Sequence, residues 1–208
     1  MITKDSNMVR KVRHPEIIDL FDLFEACCRN KGYSIDSEED QEAFFELIRK
    51  NLKQAKTPTM IHGKRVESMF SYLAASLGKC TLIKKEDSGD IFTANDKIVI
   101  PDYHLVLKTG HHLLVEVKNF HQGKEAFKEF SLKRTYLEGL KEYSNLMKIP
   151  ILVATYWAKW HLWTLVSPDD FEVYGENAVI SMDKAMENND MSLLGDYYIG
   201  TVPPCIIE

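Results

Sequence analysis

Apolar residues recur at helical spacing through the first third of the chain, alternate in its middle, and return to helical spacing before two apolar strands. Pro15 suits the first turn of a helix. Ile17, Ile18, Phe21, Phe24 and Cys28 follow at helical intervals, and Gly32 stops the run. Ser37 with Asp40 three residues on reads as a variant capping box. Phe44, Phe45, Ile48 and Leu52 then predict a second helix that ends before Pro58. A third helix is expected from about Gly63 to Leu77, with Val66, Phe70, Leu73 and Leu77 as its buried stripe and Gly78 closing it.

Beyond Gly78 the period becomes two. Thr81-Leu82-Ile83 reads as a short strand, and the polar stretch from Glu86 to Lys97 as turns. Ile98-Val99-Ile100 and Tyr103–Leu107 read as strands joined through Pro101-Asp102. Lys108-Thr109-Gly110-His111 is a hairpin turn into a strand over His112–Lys118, with Leu113, Val115 and Val117 on one face. A long amphipathic helix is expected from Lys124 to about Lys148, its stripe being Phe127, Phe130, Leu137, Leu140, Tyr143 and Met147. Pro150 ends it. Ile151–Tyr156 and Trp160–Val166 read as two further strands, and Pro168-Asp169-Asp170-Phe171 as a turn. Residues 172–208 are weakly patterned, with one short helix near Met182–Asn188. This order of elements predicts an α/β fold: a mixed β-sheet flanked by helices, preceded by an N-terminal helical hairpin. The expected division sets a basic arm (Lys4, Arg10, Lys11, Arg13) and the hairpin in residues 1–58, and the sheet domain in 59–208.

Composition is that of a globular protein, 45% hydrophobic and 27% charged. A net charge of −5 argues against a protein that coats DNA along its whole surface. It leaves room for an enzyme with a local basic groove. Cys27, Cys28, Cys80 and Cys205 form no CxxC pair, which implies neither a disulfide framework nor a zinc site. With no apolar leader and no apolar run of membrane-spanning length, the expectation is a soluble cytoplasmic protein that does not engage a membrane.

A carboxylate followed two residues later by lysine occurs only once, at Glu116 and Lys118. Residues i and i+2 of a strand share a face, so both point the same way, with Leu114 and away from Val115 and Val117. Asp102 lies 14 residues before Glu116, across one tight hairpin, and a turn near Gly110 brings it alongside. IVIPDYHLVL followed by LLVEVKNF resembles the PD-(D/E)xK nuclease superfamily, the restriction-endonuclease-like fold shared by archaeal Holliday junction resolvases. The residues that carry the resemblance are Pro101, Asp102, Glu116 and Lys118, with Glu67 of GKRVESMF as the inward helical glutamate. It spans about residues 63–166 and leaves the N-terminal hairpin and the C-terminal tail outside.

Two carboxylates side by side repel unless a cation lies between them. Such oxygen donors suit Mg²⁺, with Mn²⁺ as a substitute. The resemblance implies Asp102, Glu116 and the Val117 carbonyl as metal ligands and Lys118 as the residue that serves the attacking water or the phosphate. It also implies Glu67 as a further catalytic acid. The expected activity is metal-dependent hydrolysis of DNA phosphodiester bonds, on duplex or branched DNA, by a homodimer or within a larger DNA-processing complex. Lys133, Arg134 and His121 are the candidate contacts to the nucleic acid. The competing readings are a non-cleaving nucleic-acid-binding or assembly subunit that keeps the fold, and a ligand- or protein-binding domain with a fortuitous motif.

Overall fold

The computed structural model describes residues 23–25, 27, 28, 31–86, 92–121, 123 and 129–197. They fall into two compact units divided between His62 and Gly63. In the first unit Phe24 and Phe44 are buried and meet edge to face, ring centroids 4.9 Å apart. Helix α1 (Glu38–Ala55) starts at Ser37, whose hydroxyl accepts from the Asp40 amide. The Asp40 carboxylate accepts from the Ser34 amide instead of that of Ser37, so the capping box is half formed. The expected stripe of α1 is only partly buried, since Phe45 and Leu52 are exposed. Of the first predicted helix, Ile17, Ile18 and Phe21 lie outside the described residues, as do the basic arm and Cys205.

Helix α2 (Pro58–Ser76) begins earlier than the pattern suggested and contains the division between the units. Pro58 at its first position costs no hydrogen bond, because a first-turn amide has no helical acceptor. The second unit is built on a five-stranded sheet with β1 (Cys80–Lys85), β2 (Tyr103–Leu107), β3 (His112–Phe120), β5 (Ile151–Trp157) and β6 (Leu162–Val166) in that spatial order. β3 and β5 pair parallel and the other neighbours antiparallel, which makes the sheet mixed. The return between the parallel strands carries helix α3 (Arg134–Met147).

Each sheet face is covered. Val66, Phe70 and Ala74 of α2 pack with Leu113, Val115 and Val117 of β3 on one side, together with Met191 and Leu194 of a 3₁₀ turn. Leu137, Leu140 and Tyr143 of α3 pack with Leu114, Val153 and Trp157 on the other. Burial of each valine, leucine, methionine or phenylalanine side chain among them contributes about 1.5–3 kcal/mol. It also fixes which way the alternate residues of β3 must point.

Three expectations need correction. The long helix does not cover Phe130–Lys133, which form strand β4. That strand joins β8 (Asn177–Ile180) and β7 (Glu172–Tyr174) in a second, three-stranded sheet, order β4-β8-β7. Phe130 and Leu132 alternate with Ser131 and Lys133, and pairing with β8 gives their amides partners that a helix would otherwise supply. Ile98-Val99-Ile100 belong to neither sheet; they lie against α3, where the Val99 amide donates to the Gly139 carbonyl at 3.0 Å. The 172–197 region is more ordered than its pattern implied, holding β7, β8, helix α4 (Met182–Glu187) and the 3₁₀ turn Asp190–Leu194. Among the described residues no helix is long and apolar enough to cross a membrane.

Candidate active site

β3 runs further than β2. The last β2–β3 pair in this direction is Tyr103 with Val115, and one more step of the same register sets Asp102 opposite Glu116. Beyond that point no strand among the described residues pairs with this edge of β3, and the chain opposite is Pro101-Asp102. The Val117 amide faces this gap and donates to Asp102 Oδ2 at 2.7 Å. A carboxylate thus replaces the missing ladder acceptor, which anchors Asp102 to the strand that carries Glu116 and Lys118.

Alternation places Glu116 and Lys118 on the α3 face with Leu114, while Val115 and Val117 enter the opposite core. Glu116 is only 2% exposed. A buried acid needs partners, and α3 supplies one: the Tyr136 hydroxyl donates to Glu116 Oε1 at 2.6 Å. Lys118 Nζ forms an ion pair with the same oxygen. It also donates to the Tyr136 hydroxyl at 3.0 Å and stands 4.6 Å from that ring's centroid.

The electrostatics follow from burial and crowding. Burial, and then the Glu116 charge, push the Asp102 carboxyl up to about 7, with Glu67 adding to the effect. The Val117 amide and Lys118 pull the other way without reversing it. Burial alone would lower the Lys118 pKa; the Glu116 charge and hydrogen bond outweigh it and raise it, so the side chain is an ammonium at neutral pH. Burial and the Glu116 charge push Tyr136 up to about 12, which leaves a phenol with a proton to donate.

Glu67 stands apart from this contact network. It sits on α2, against the opposite face of the sheet, and pairs with Lys64 at 2.7 Å and Lys85 at 3.7 Å. Its backbone carbonyl accepts from the Tyr103 hydroxyl at 3.0 Å. The acid therefore reaches Asp102 through its field and not by contact. Lys133 and Arg134 are exposed at the junction of β4 and α3, where Arg134 Nε donates to Glu138 at 2.7 Å. His121 is exposed just past β3. None of these three enters the contacts of Asp102, Glu116 or Lys118 named above.

Structurally, the chain is similar to Archaeoglobus fulgidus Hjc, a Holliday junction resolvase from an archaeal hyperthermophile. The TM-score is 0.48 at 16% identity, over 66% of this chain and 99% of that one. No protein-family model matches the chain and no curated protein does. A likeness of that degree carries no argument, and the chemistry rests on the chain's own residues.

Three polar residues at the site escaped the sequence pattern. Tyr136 sits on the flank of the α3 stripe, one turn before Leu140; a phenol at the margin of an apolar face was the available signal. Thr155 is the register partner of Lys118 across β3–β5 and is 1% exposed, with no hydrogen-bond partner for its hydroxyl among the described residues. It is the one hydroxyl in the apolar run ILVAT, on the face shared with Glu116 and Lys118. Glu86, which follows β1, is partly buried, with its side chain 8% exposed: it accepts from the Tyr143 hydroxyl at 2.8 Å, and its amide donates to the Asp102 carbonyl at 2.9 Å. His104 stands beside it, and burial, followed by His112 and Lys84, lowers its pKa against the opposing pull of Glu86.

Among the described residues no group of three or more His, Cys, Asp or Glu side chains converges as a closed metal cage. The available oxygen donors are two neighbouring carboxylates and the Val117 carbonyl. That set is incomplete for an ion held by protein alone. It fits a hard ion that keeps several waters and takes further ligands from a phosphate.

Proposed function

We propose that this protein is a divalent-metal-dependent nuclease that hydrolyses phosphodiester bonds of DNA. The observation that carries the reading is the juxtaposition at one end of the sheet. Asp102 is tied to the Val117 amide, Glu116 is buried on the facing register position, and a charged Lys118 lies on the same face. An acid raised by burial and by the charge of the neighbouring Glu116, as Asp102 is, makes an environment that a cation relieves.

Asp102, Glu116 and the Val117 carbonyl are the groups to hold Mg²⁺ or Mn²⁺. Bound there, such an ion supplies Lewis acidity toward the scissile phosphate and lowers the pKa of water at the site. Lys118 enters the reaction as a cation. With its proton held this firmly it suits the growing negative charge of the phosphoryl oxygens better than it suits a general base. Tyr136 and the α3 packing keep water from the inner side of Glu116. Lys133, Arg134 and His121 are proposed as backbone contacts outside this centre, and Glu67 as a field-acting acid that reinforces cation binding.

A panel of single-stranded, duplex and branched DNA and RNA, incubated with Mg²⁺, Mn²⁺ or EDTA, tests the activity. Asp102→Ala and Glu116→Ala are expected to abolish both cleavage and Mn²⁺ binding. Lys118→Ala is expected to abolish cleavage while Mn²⁺ still binds, and wild-type cleavage by this variant would refute the role given to the lysine. One observation favours a second reading, a non-cleaving DNA-binding or assembly subunit. The Lys118–Glu116 ion pair already neutralises the acid without a metal. DNA retention with no cleavage under any metal would select that reading.

A further inference from the structure

Tyr136 lies outside the two acids and the lysine, yet it touches two of the three. Its hydroxyl is 2.6 Å from Glu116 Oε1 and 3.0 Å from Lys118 Nζ. A phenol has one proton to give and lone pairs to receive with, while an ammonium only donates and a carboxylate only accepts. The roles are therefore forced: the proton goes to Glu116 and a lone pair receives Lys118. The phenol oxygen is not placed by the site itself. Tyr136 rides on α3, and Leu137, Leu140 and Tyr143 fasten that helix to the sheet. Lys118, by contrast, has four flexible methylenes and is 27% exposed. Among the three groups, the tyrosine is the rigid reference.

Both contacts fall on the same carboxylate oxygen. The ammonium and the phenol share Glu116 Oε1, which leaves the orientation of Oε2 determined by the Tyr136 hydrogen bond. An ion arriving at Glu116 competes with Lys118 for the acid. Once displaced, the ammonium keeps one acceptor in place, the Tyr136 oxygen.

We infer that Tyr136 is a positioning residue for the cleavage proposed above: its hydroxyl orients Glu116 toward the ion and retains Lys118 beside the phosphate. The inference rests on the nuclease reading. A tyrosine that merely fills the helix–sheet contact would lose little on removal of its oxygen, because the ring packing survives in phenylalanine.

The test compares wild type with Tyr136→Phe in the full-length protein, using Mn²⁺ and whichever DNA of the panel the wild type cuts. Expected is a fall in kcat of about 10- to 100-fold, the usual effect of losing a group that orients a metal ligand. KM for DNA should stay within about threefold, since the lost contact acts on the transition state and not on DNA binding. Without DNA, free Mn²⁺ followed by electron paramagnetic resonance should report binding weakened by about tenfold. Tyr136→Met, whose unbranched side chain adapts to the gap, carries the same readings should the Phe variant lack a cooperative melt. A variant with wild-type kcat and wild-type Mn²⁺ affinity overturns the positioning role alone. A wild type that cuts nothing overturns the nuclease reading and this inference with it.

Discussion

Replacing Asp102 by asparagine should stabilise the metal-free protein at pH 8 while ending its ability to gain stability from a divalent ion. Asparagine keeps a side-chain oxygen for the Val117 amide, so the strand-edge hydrogen bond of 2.7 Å survives and only the charge is removed. In the folded protein burial and Glu116 hold this carboxyl at about 7, against an ordinary 3.8. The fold therefore favours the protonated form. Between about pH 4 and 7 the unfolded chain has lost this proton and the folded chain still carries it. Stability contributed by this group thus declines as pH rises through that window and levels off above it. Moving a carboxyl from 3.8 to about 7, at about 1.4 kcal/mol per tenfold change, sets a ceiling of about 4 kcal/mol. Partial access to solvent brings the expected gain for Asp102→Asn to about 2–4 kcal/mol at pH 8, shrinking as pH falls toward 4. Urea unfolding in EDTA measures it, followed by tryptophan fluorescence. All three tryptophans, Trp157, Trp160 and Trp163, lie in the sheet unit and report on it alone. Millimolar Mn²⁺ should stabilise the wild type and leave the asparagine variant unchanged. A variant less stable than wild type at pH 8, with no pH dependence in the difference, would refute the claim that the two acids share one field.

Three further substitutions probe the same region. Lys118→Met removes the cationic partner of an acid that is 2% exposed and should destabilise the metal-free protein by about 2–4 kcal/mol, read as a lower urea midpoint; an unchanged midpoint would mean the ion pair contributes nothing. Thr155→Val exchanges a buried hydroxyl with no partner among the described residues for a methyl of the same shape and should be neutral or stabilising by up to about 1 kcal/mol. A loss above that amount would reveal a partner for the hydroxyl, such as a bound water. Gly139→Ala gains about 1 kcal/mol of helix propensity. Its added carbon, however, would stand 2.6 Å from both the Lys97 carbonyl oxygen and Val99 Cγ2. Overpacking of about 1–3 kcal/mol against backbone should win, so thermal melting is expected to show a net loss, and a higher melting temperature would show that the 97–99 segment yields freely.

The parts of this site visible in the sequence are those fixed by local geometry. A period of two sets Glu116 and Lys118 together, and the hairpin at Gly110 carries the register that brings Asp102 opposite Glu116. Neither step needs knowledge of anything beyond two adjacent strands. What escaped depends on distant partners. β4 was absorbed into the helix that follows because Phe127, Phe130 and Leu137 fit a helical stripe. The true helix start at Lys133 makes no side-chain cap, so no Ser, Thr, Asp or Asn marked it. Its pairing of Phe130 with Ile180 spans fifty residues, and β7 and β8 are too short to show alternation of their own. Tyr136 and Thr155 were hidden for a related reason. Each is polar on a mostly apolar element, and its meaning depends on how α3 and β5 are set against β3. Period-two reading shows which side of β3 holds the acid and the lysine; only the packed helix shows what must stand over them. Burying Glu116 at 2% exposure requires a donor from that helix, so a sequence that places an acid on a covered strand face also calls for a polar residue on the covering element. In α3 the candidates with a hydroxyl long enough to reach are Tyr136 and Tyr143, and the second is already engaged by Glu86.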